Sequence, residues 1–261
     1  MIIKTLFEDK NILVVDKPAG FSVHKDGRND TEYTLSDWLL ENYPSIKNVG
    51  EPMIVNVDGK EEKILRPGIV HRIDKETSGV LLIAKNKKTF EFLKEQFQNH
   101  KIKKTYRAFV YGNVTSPRAS LLTGKRGVID APIGRSPVDI RMWTAGRGAR
   151  EPLRQATTEY VVLDRFVDEE TEDPNSNKFS YLEVYPKTGR THQIRVHMRY
   201  INHPIVSDPL YRGSKEKVLG MKRLALHAYS ISFMMPNGEM KEVTSELPND
   251  FKKVIKKFNL K

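Results

Sequence analysis

The chain has 261 residues, 38% of them hydrophobic, enough to bury a sizeable core in one large domain or in two lobes around a cleft. Lysine and arginine number 44 against 33 acidic residues, a formal charge of +11 that points to an anionic partner. The absence of cysteine excludes disulfides, thiolate nucleophiles and cysteine-ligated metal sites, and no stretch approaches the roughly 18 apolar residues of a membrane span, so a cytoplasmic chain without membrane contact is expected.

Asn11–Val15 reads as a short buried strand ending at a turn marked by Pro18 and Gly20. Thr34 is the N-cap of a helix carrying Leu35, Trp38, Leu39 and Tyr43 at helical spacing until Pro44 stops it. Met53–Val57 and Lys60–Leu65 flank Asp58-Gly59, a pair suited to a two-residue hairpin turn. Ile69-Val70, the polar stretch His71–Ser78 and the apolar run Val80–Ala84 read as strand, loop and strand. Thr89 opens a helix with Phe90, Leu93 and Phe97 on one face, and Thr105–Tyr111 alternates as a strand.

From Ser116 to Arg154 the chain is rich in Gly, Pro and Arg and predicts only short irregular strands. Thr157–Leu163 and Phe179–Tyr185 read as paired strands joined by an acidic, polar loop. Thr191–Asn202 reads as a helix with Thr191 as N-cap and Ile194, Met198 and Ile201 as its buried stripe, Arg195 lying beside that stripe. Leu224–Met234 is the expected last strand, followed by a basic tail, VIKKFNLK. The order of elements predicts an α+β fold, a central mostly antiparallel or mixed sheet with flanking helices and a catalytic cleft.

One carboxylate stands out. Asp74 occupies a strand-linked loop between His71, Arg72 and Lys75, surroundings that favour its ionised form. Lys101, Lys103, Lys104 and Arg107 on one side, and Lys187, Arg190, Arg195 and Arg199 on the other, supply cations for phosphates. His192 and His197 lie five residues apart, about 140° round a helix, which is not the spacing of a zinc-binding pair. No metal is expected.

GIVHRIDKETSGVLLIAKN resembles the HRLD-x-x-TSG signature of the RluA-type pseudouridine synthases, with Ile73 in place of the commoner leucine. NILVVDKPAGFSVH, KTYRAFVYG, KTGRTHQIRVHMRYINHPIVSDPLY and RLALHAYSISF are similar to that family's other blocks, in its order, so the likeness spans roughly residues 7 to 235. The segment Arg135–Arg154 has no clear counterpart. The resemblance implies a pseudouridine synthase fold in one catalytic domain over 1–261, with no separate RNA-binding domain before it. It implies that Asp74 is the nucleophile, Tyr106 stacks on the uracil and Arg195 pairs with Asp74. It further implies that Arg72 fills the gap left by the flipped nucleotide, and that Leu224 or Leu226 packs on the other face of the base. His71, Thr77, Lys104, Arg107, Arg190 and His192 complete the expected RNA-binding set.

The implied reaction is consistent with these residue types. Uracil leaves its ribose, turns and rejoins through carbon 5 with no change of redox state and no atom gained, so no cofactor is expected. Two other readings use the same residues: a two-carboxylate glycosidase-like hydrolase pairing Asp74 with Glu76 or Asp208, and a noncatalytic RNA-binding protein. The expected partner is RNA, rRNA slightly before tRNA, acted on by a monomer without an obligate protein partner.

Overall fold

The computed structural model describes residues 3–25, 32–57, 60–115, 126–171, 177–214 and 218–261. Its first elements are β1 (Lys4–Glu8), β2 (Ile12–Lys17), α1 (Leu35–Asn42), β3 (Met53–Val57), β4 (Lys60–Ile64), β5 (Ser78–Ala84) and α2 (Lys87–Gln98). Then come β6 (Lys103–Tyr111), β7 (Arg126–Asp130), β8 (Ile133–Arg135), β9 (Trp143–Ala145), β10 (Arg150–Arg154), β11 (Thr157–Val167) and β12 (Lys178–Pro186). The chain closes with α3 (Gln193–Tyr200), β13 (Leu226–Met234), β14 (Met240–Thr244) and α4 (Asn249–Lys257). The fold is α+β, as expected, and the chain forms two compact units, Met1–Lys103 with Ala228–Glu246 and Lys104–His227 with Leu247–Lys261.

In the first unit the strand order is β1-β2-β5-β13, with β14 pairing β13. Every residue of β5 is buried, which is why its sequence is a continuous apolar run rather than an alternation. β2 and β5 are antiparallel, Ile12 facing Ala84 and Lys17 facing Gly79. Gly79 has φ +112°, and a Cβ there would sit 2.1 Å from the Ala228 carbonyl oxygen. Only glycine fits so close beside that neighbouring strand.

Thr34 caps α1 as expected: its hydroxyl accepts the Asp37 N–H at 3.4 Å while Asp37 accepts the Thr34 N–H at 2.9 Å. The second helix departs from expectation. Asn86, not Thr89, caps α2, its side-chain oxygen accepting the Thr89 N–H at 2.9 Å. Ile69-Val70 is not a strand, since Ile69 makes one isolated bridge to Ile83. The β3–β4 hairpin pairs Met53 with Ile64 through Val57 with Lys60; its Asp58-Gly59 turn lies outside the described residues.

In the second unit β6, β12, β11 and β7 follow one another in an antiparallel sheet. A small antiparallel sheet, β10-β8-β9, gives form to the arginine-rich segment. The core gathers on Phe109, whose ring centroid lies 4.8 Å from that of Tyr181 and 5.0 Å from that of Phe251. Phe251 belongs to α4, which takes in the first half of the expected basic tail: Phe251 and Val254 are buried, and the helix's lysines are exposed. The last strand is β14 rather than Leu224–Met234, and β13 begins only at Leu226 because the Ala225 N–H donates to Val206 in an irregular connection.

α3 opens at Gln193, with His192 rather than Thr191 as N-cap, one residue later than expected. His192 is in left-handed backbone, φ +55°, and its imidazole turns away from the helix end towards Tyr211. Among the described residues no helix is long and apolar enough to cross a membrane.

Candidate active site

The first unit supplies the loop of Asp74. The Thr77 N–H donates to the Asp74 carbonyl at 3.1 Å, closing a turn immediately before β5. Ile73 and Thr77 are buried on either side, Asp74 is half-buried and Arg72 is exposed, with Nη1 3.3 Å from His24 Nε2. The imidazole of His71 lies inward. Its Nε2 accepts the Leu82 N–H at 2.9 Å and its ring stacks on Phe97 at 4.7 Å, so it ties the loop to β5 and α2.

Sequence reasoning missed Lys17. It is 0% exposed, and its ammonium donates to the carbonyls of Pro18 at 2.8 Å, Phe21 at 2.7 Å and Lys75 at 3.0 Å. The Gly20 N–H donates to the same Lys75 oxygen at 2.9 Å. One buried cation therefore joins the turn after β2 to the residue that follows Asp74. A lysine at the end of an apolar strand was the available signal, because a buried ammonium must find oxygen acceptors.

The second unit carries Tyr106 and Arg195. Tyr106 is half-buried on β6, in register with Val184. Arg107 beside it forms an ion pair with Glu183 at 2.6 Å across the same two strands. Lys104, two residues before Tyr106 and so on the same face of β6, donates to the Thr188 carbonyl at 3.2 Å; burial pulls its ammonium down to about 8. The Arg190 N–H donates to Gln193 Oε1 at 3.0 Å and its Nε to the Gln155 carbonyl at 3.0 Å. Leu224 and Leu226 are both buried in the unit's core.

Arg195 is 4% exposed and is gripped by Asp208, 0% exposed, through two bonds of 2.8 Å: Nε to Oδ2 and Nη2 to Oδ1. Asp208 Oδ1 also accepts the Leu210 N–H at 2.9 Å and the Tyr211 N–H at 3.0 Å. The guanidinium lies over the Tyr211 ring, 4.9 Å from its centroid. The Tyr211 hydroxyl accepts the Trp143 N–H at 2.9 Å and bonds His192 Nδ1 at 2.9 Å. Beside the pair, Ser207 takes a left-handed backbone, φ +57°, as His192 does. Non-glycine residues held there cost about 1–3 kcal/mol each, so the frame around Arg195 is built under strain.

This frame disfavours Asp208 as the second carboxylate of the hydrolase reading. Asp208 is committed to a guanidinium and two amides, which leaves it poorly placed to act as a general acid. His197 is equally occupied, bonding Thr158 Oγ1 at 2.8 Å and the Ala131 carbonyl at 3.0 Å.

Comparison with known proteins agrees with the residues. A family model described as RNA pseudouridylate synthase matches residues 11–200. An uncharacterized RNA pseudouridine synthase of Bacillus subtilis is 36% identical over 95% of this chain and 70% of its own length. The ribosomal large subunit pseudouridine synthase D of Borreliella burgdorferi is 36% identical over 95% of this chain and 66% of its own. The chain thus spans about two thirds of the length of such relatives. Among solved structures, human RNA pseudouridylate synthase domain containing 4 superposes with a TM-score of 0.67 at 25% identity, covering 98% of this chain and 93% of that one. The signature around Asp74, the glycine forced by the strand beside it and these matches across the chain have one reading: the chain belongs to the RNA pseudouridylate synthase family.

Proposed function

We propose that the chain isomerises specific uridines of large-subunit ribosomal RNA to pseudouridine, with Asp74 as nucleophile. The observation that carries the reading is the HRIDKETSG loop, a half-buried carboxylate on a turn anchored by Lys17, His71 and the wholly buried β5. The rRNA target rests on the relatives named as large-subunit enzymes. Flipping a base from a stack costs a few kcal/mol, and aromatic stacking returns about 1–3 kcal/mol. In this reading Tyr106 receives the uracil, Arg72 fills the vacated stack and Arg195 holds the carboxylate's charge.

In the reaction the bond between uracil N1 and the ribose C1′ breaks and a bond from C5 to C1′ forms. The C5 proton leaves and N1 is protonated. Mass is unchanged and no cofactor is consumed. The test is incubation with an unmodified transcript of the source organism's large-subunit rRNA, followed by carbodiimide labelling of pseudouridine and mass spectrometry. The expected result is an RNA mass unchanged by the enzyme before labelling and labelled sites after it, abolished in Asp74→Asn while RNA affinity stays within a few-fold. Release of free uracil, or full activity of Asp74→Asn, overturns the reading.

A further inference from the structure

The arginine-rich segment Arg135–Arg154 is an ordered device. Residues 136–142 form the loop between β8 and β9, held by hydrogen bonds from flanking strands and from within. Arg135 Nη1 donates to the Ile140 carbonyl at 3.0 Å and Arg150 Nη2 to the Pro137 carbonyl at 2.9 Å. The Ser136 N–H donates to Met142 at 3.1 Å, the Met142 N–H to Asp139 at 2.9 Å, and Arg141 grips Asp139 at 2.7 and 3.1 Å. The Arg135 guanidinium also lies 4.3 Å from the centre of the Trp143 ring.

This bracing holds up two aliphatic side chains: Val138 is 93% exposed and Ile140 75%. Scattered surface aliphatics are ordinary, but these stand two residues apart at the tip of one braced loop. Their setting is cationic: Ile133–Arg154 contains Arg135, Arg141, Arg147, Arg150 and Arg154 against Asp139 and Glu151, a net +3. Aliphatic wedges among arginines suit a nucleic acid, where the arginines meet phosphates and the wedge enters between bases. The loop is also tied to the Arg195 frame, because the Trp143 N–H at its far end donates to the Tyr211 hydroxyl, beneath whose ring face Arg195 is held.

We propose that Val138 and Ile140 form an apolar wedge that inserts into a base step of the folded RNA substrate, positioned relative to Arg195 by the Trp143–Tyr211 hydrogen bond. The proposal rests on the RNA reading above and adds a second point of insertion, distinct from Arg72. The wedge selects RNAs in which a flexible step lies at a fixed distance from the target uridine. That gives the chain a source of target selectivity within the described residues.

The test compares wild type, the double variant Val138→Ser/Ile140→Ser, and Ile54→Ser as a matched loss of an exposed aliphatic elsewhere. Affinity for the unmodified large-subunit transcript is measured by filter binding at several salt concentrations, and base unstacking by dimethyl sulfate reactivity. The double variant should bind at least tenfold more weakly with the same salt slope, since no charge is removed. It should also lose a site of enhanced reactivity that wild type and Ile54→Ser both produce. Unchanged affinity overturns the proposal, as does weakened binding without any wild-type enhancement, which would mean contact without insertion. A change in light-scattering mass with unchanged RNA affinity also overturns it, in favour of a protein–protein surface. Pseudouridine formation is scored separately: a wild type that binds and unstacks the RNA without modifying it defeats the proposed activity and leaves the wedge standing.

Discussion

Arg195 and Asp208 are joined by two parallel hydrogen bonds of 2.8 Å in surroundings that expose neither side chain by more than 4%. A buried ion pair is a poor source of stability, because desolvating both charges offsets their attraction. Its effect here is positional: the two-pronged grip of Asp208 holds the guanidinium against the Tyr211 ring. Asp208→Ala therefore removes this carboxylate from a buried guanidinium and should lower stability by about 3–5 kcal/mol. Asp208→Asn retains an acceptor for the Leu210 and Tyr211 amides and should lose less stability but most of kcat. Urea unfolding and pseudouridine formation measure the two effects; an Asp208→Asn variant with wild-type kcat shows that the frame around Arg195 does not serve the reaction.

Lys17 does for Asp74 what Asp208 does for Arg195, with backbone oxygens as partners. Lys17→Met keeps the length of the side chain and leaves the carbonyls of Pro18, Phe21 and Lys75 without their shared donor. Hydrogen bonds to a charged group contribute about 1.5–3 kcal/mol each, so even partial relaxation should cost about 2–4 kcal/mol. The loop should also loosen, seen as faster amide exchange of Thr77, whose N–H closes the Asp74 turn. A variant as stable as wild type, with unchanged exchange at Thr77, shows that Lys17 does not anchor the loop.

These two anchors also mark where the sequence stopped being legible. Local signals carried far: Thr34 with Asp37 writes a capping box, Thr105–Tyr111 and Phe179–Tyr185 lie within β6 and β12, and the TSG glycine fits close against a neighbouring strand. Hidden were features that depend on partners distant in sequence. Asp208 meets Arg195 across thirteen positions, and Lys17 meets Lys75 across fifty-eight, neither with a periodic pattern to announce it. β1 is a short edge strand, KTLFE, whose lysine and glutamate hide it among turns. α4 was readable in principle, since Phe251, Val254, Ile255 and Phe258 repeat at helical spacing, but its lysines masked that stripe.

Lys104 gives a pH dependence with a definite sign. Its ammonium is held near 8 by burial, below its ordinary 10.5, so between those values the unfolded chain binds a proton that the folded chain has released. Its contribution to stability therefore rises with pH from about 8 to 10.5. Lys104→Met should remove that rise and, by replacing a poorly solvated charge, stabilise the chain at pH 7 by about 1 kcal/mol. Unfolding by guanidinium chloride at pH 7, 8, 9 and 10 reads both effects, and a mutant that keeps the wild-type pH slope refutes the assignment.

His197 titrates on the acid side. It is fully buried in α3, and burial lowers its pKa below 6.5 against the smaller opposing influences of the Ala131 carbonyl and Asp130. Nε2 must donate to that carbonyl, which leaves Nδ1 to accept from the Thr158 hydroxyl; that hydroxyl in turn accepts from Gln193 Nε2 at 3.0 Å. A proton on Nδ1 removes the acceptor of the Thr158 hydroxyl hydrogen, which must turn elsewhere in a buried site, and so loosens α3 from β11. Because the folded pKa is depressed, the neutral ring's contribution is complete above the unfolded value and is lost as pH falls through the folded one. The chain should thus lose stability as pH falls below about 6.5, until the folded ring is itself protonated. His197→Asn should be less stable at pH 7, yet lose less on going to pH 5. Since Arg195 lies on the same helix, kcat of the wild type should fall over that acid range in step with amide exchange at the start of α3. Activity that falls while α3 stays protected places the responsible titration elsewhere.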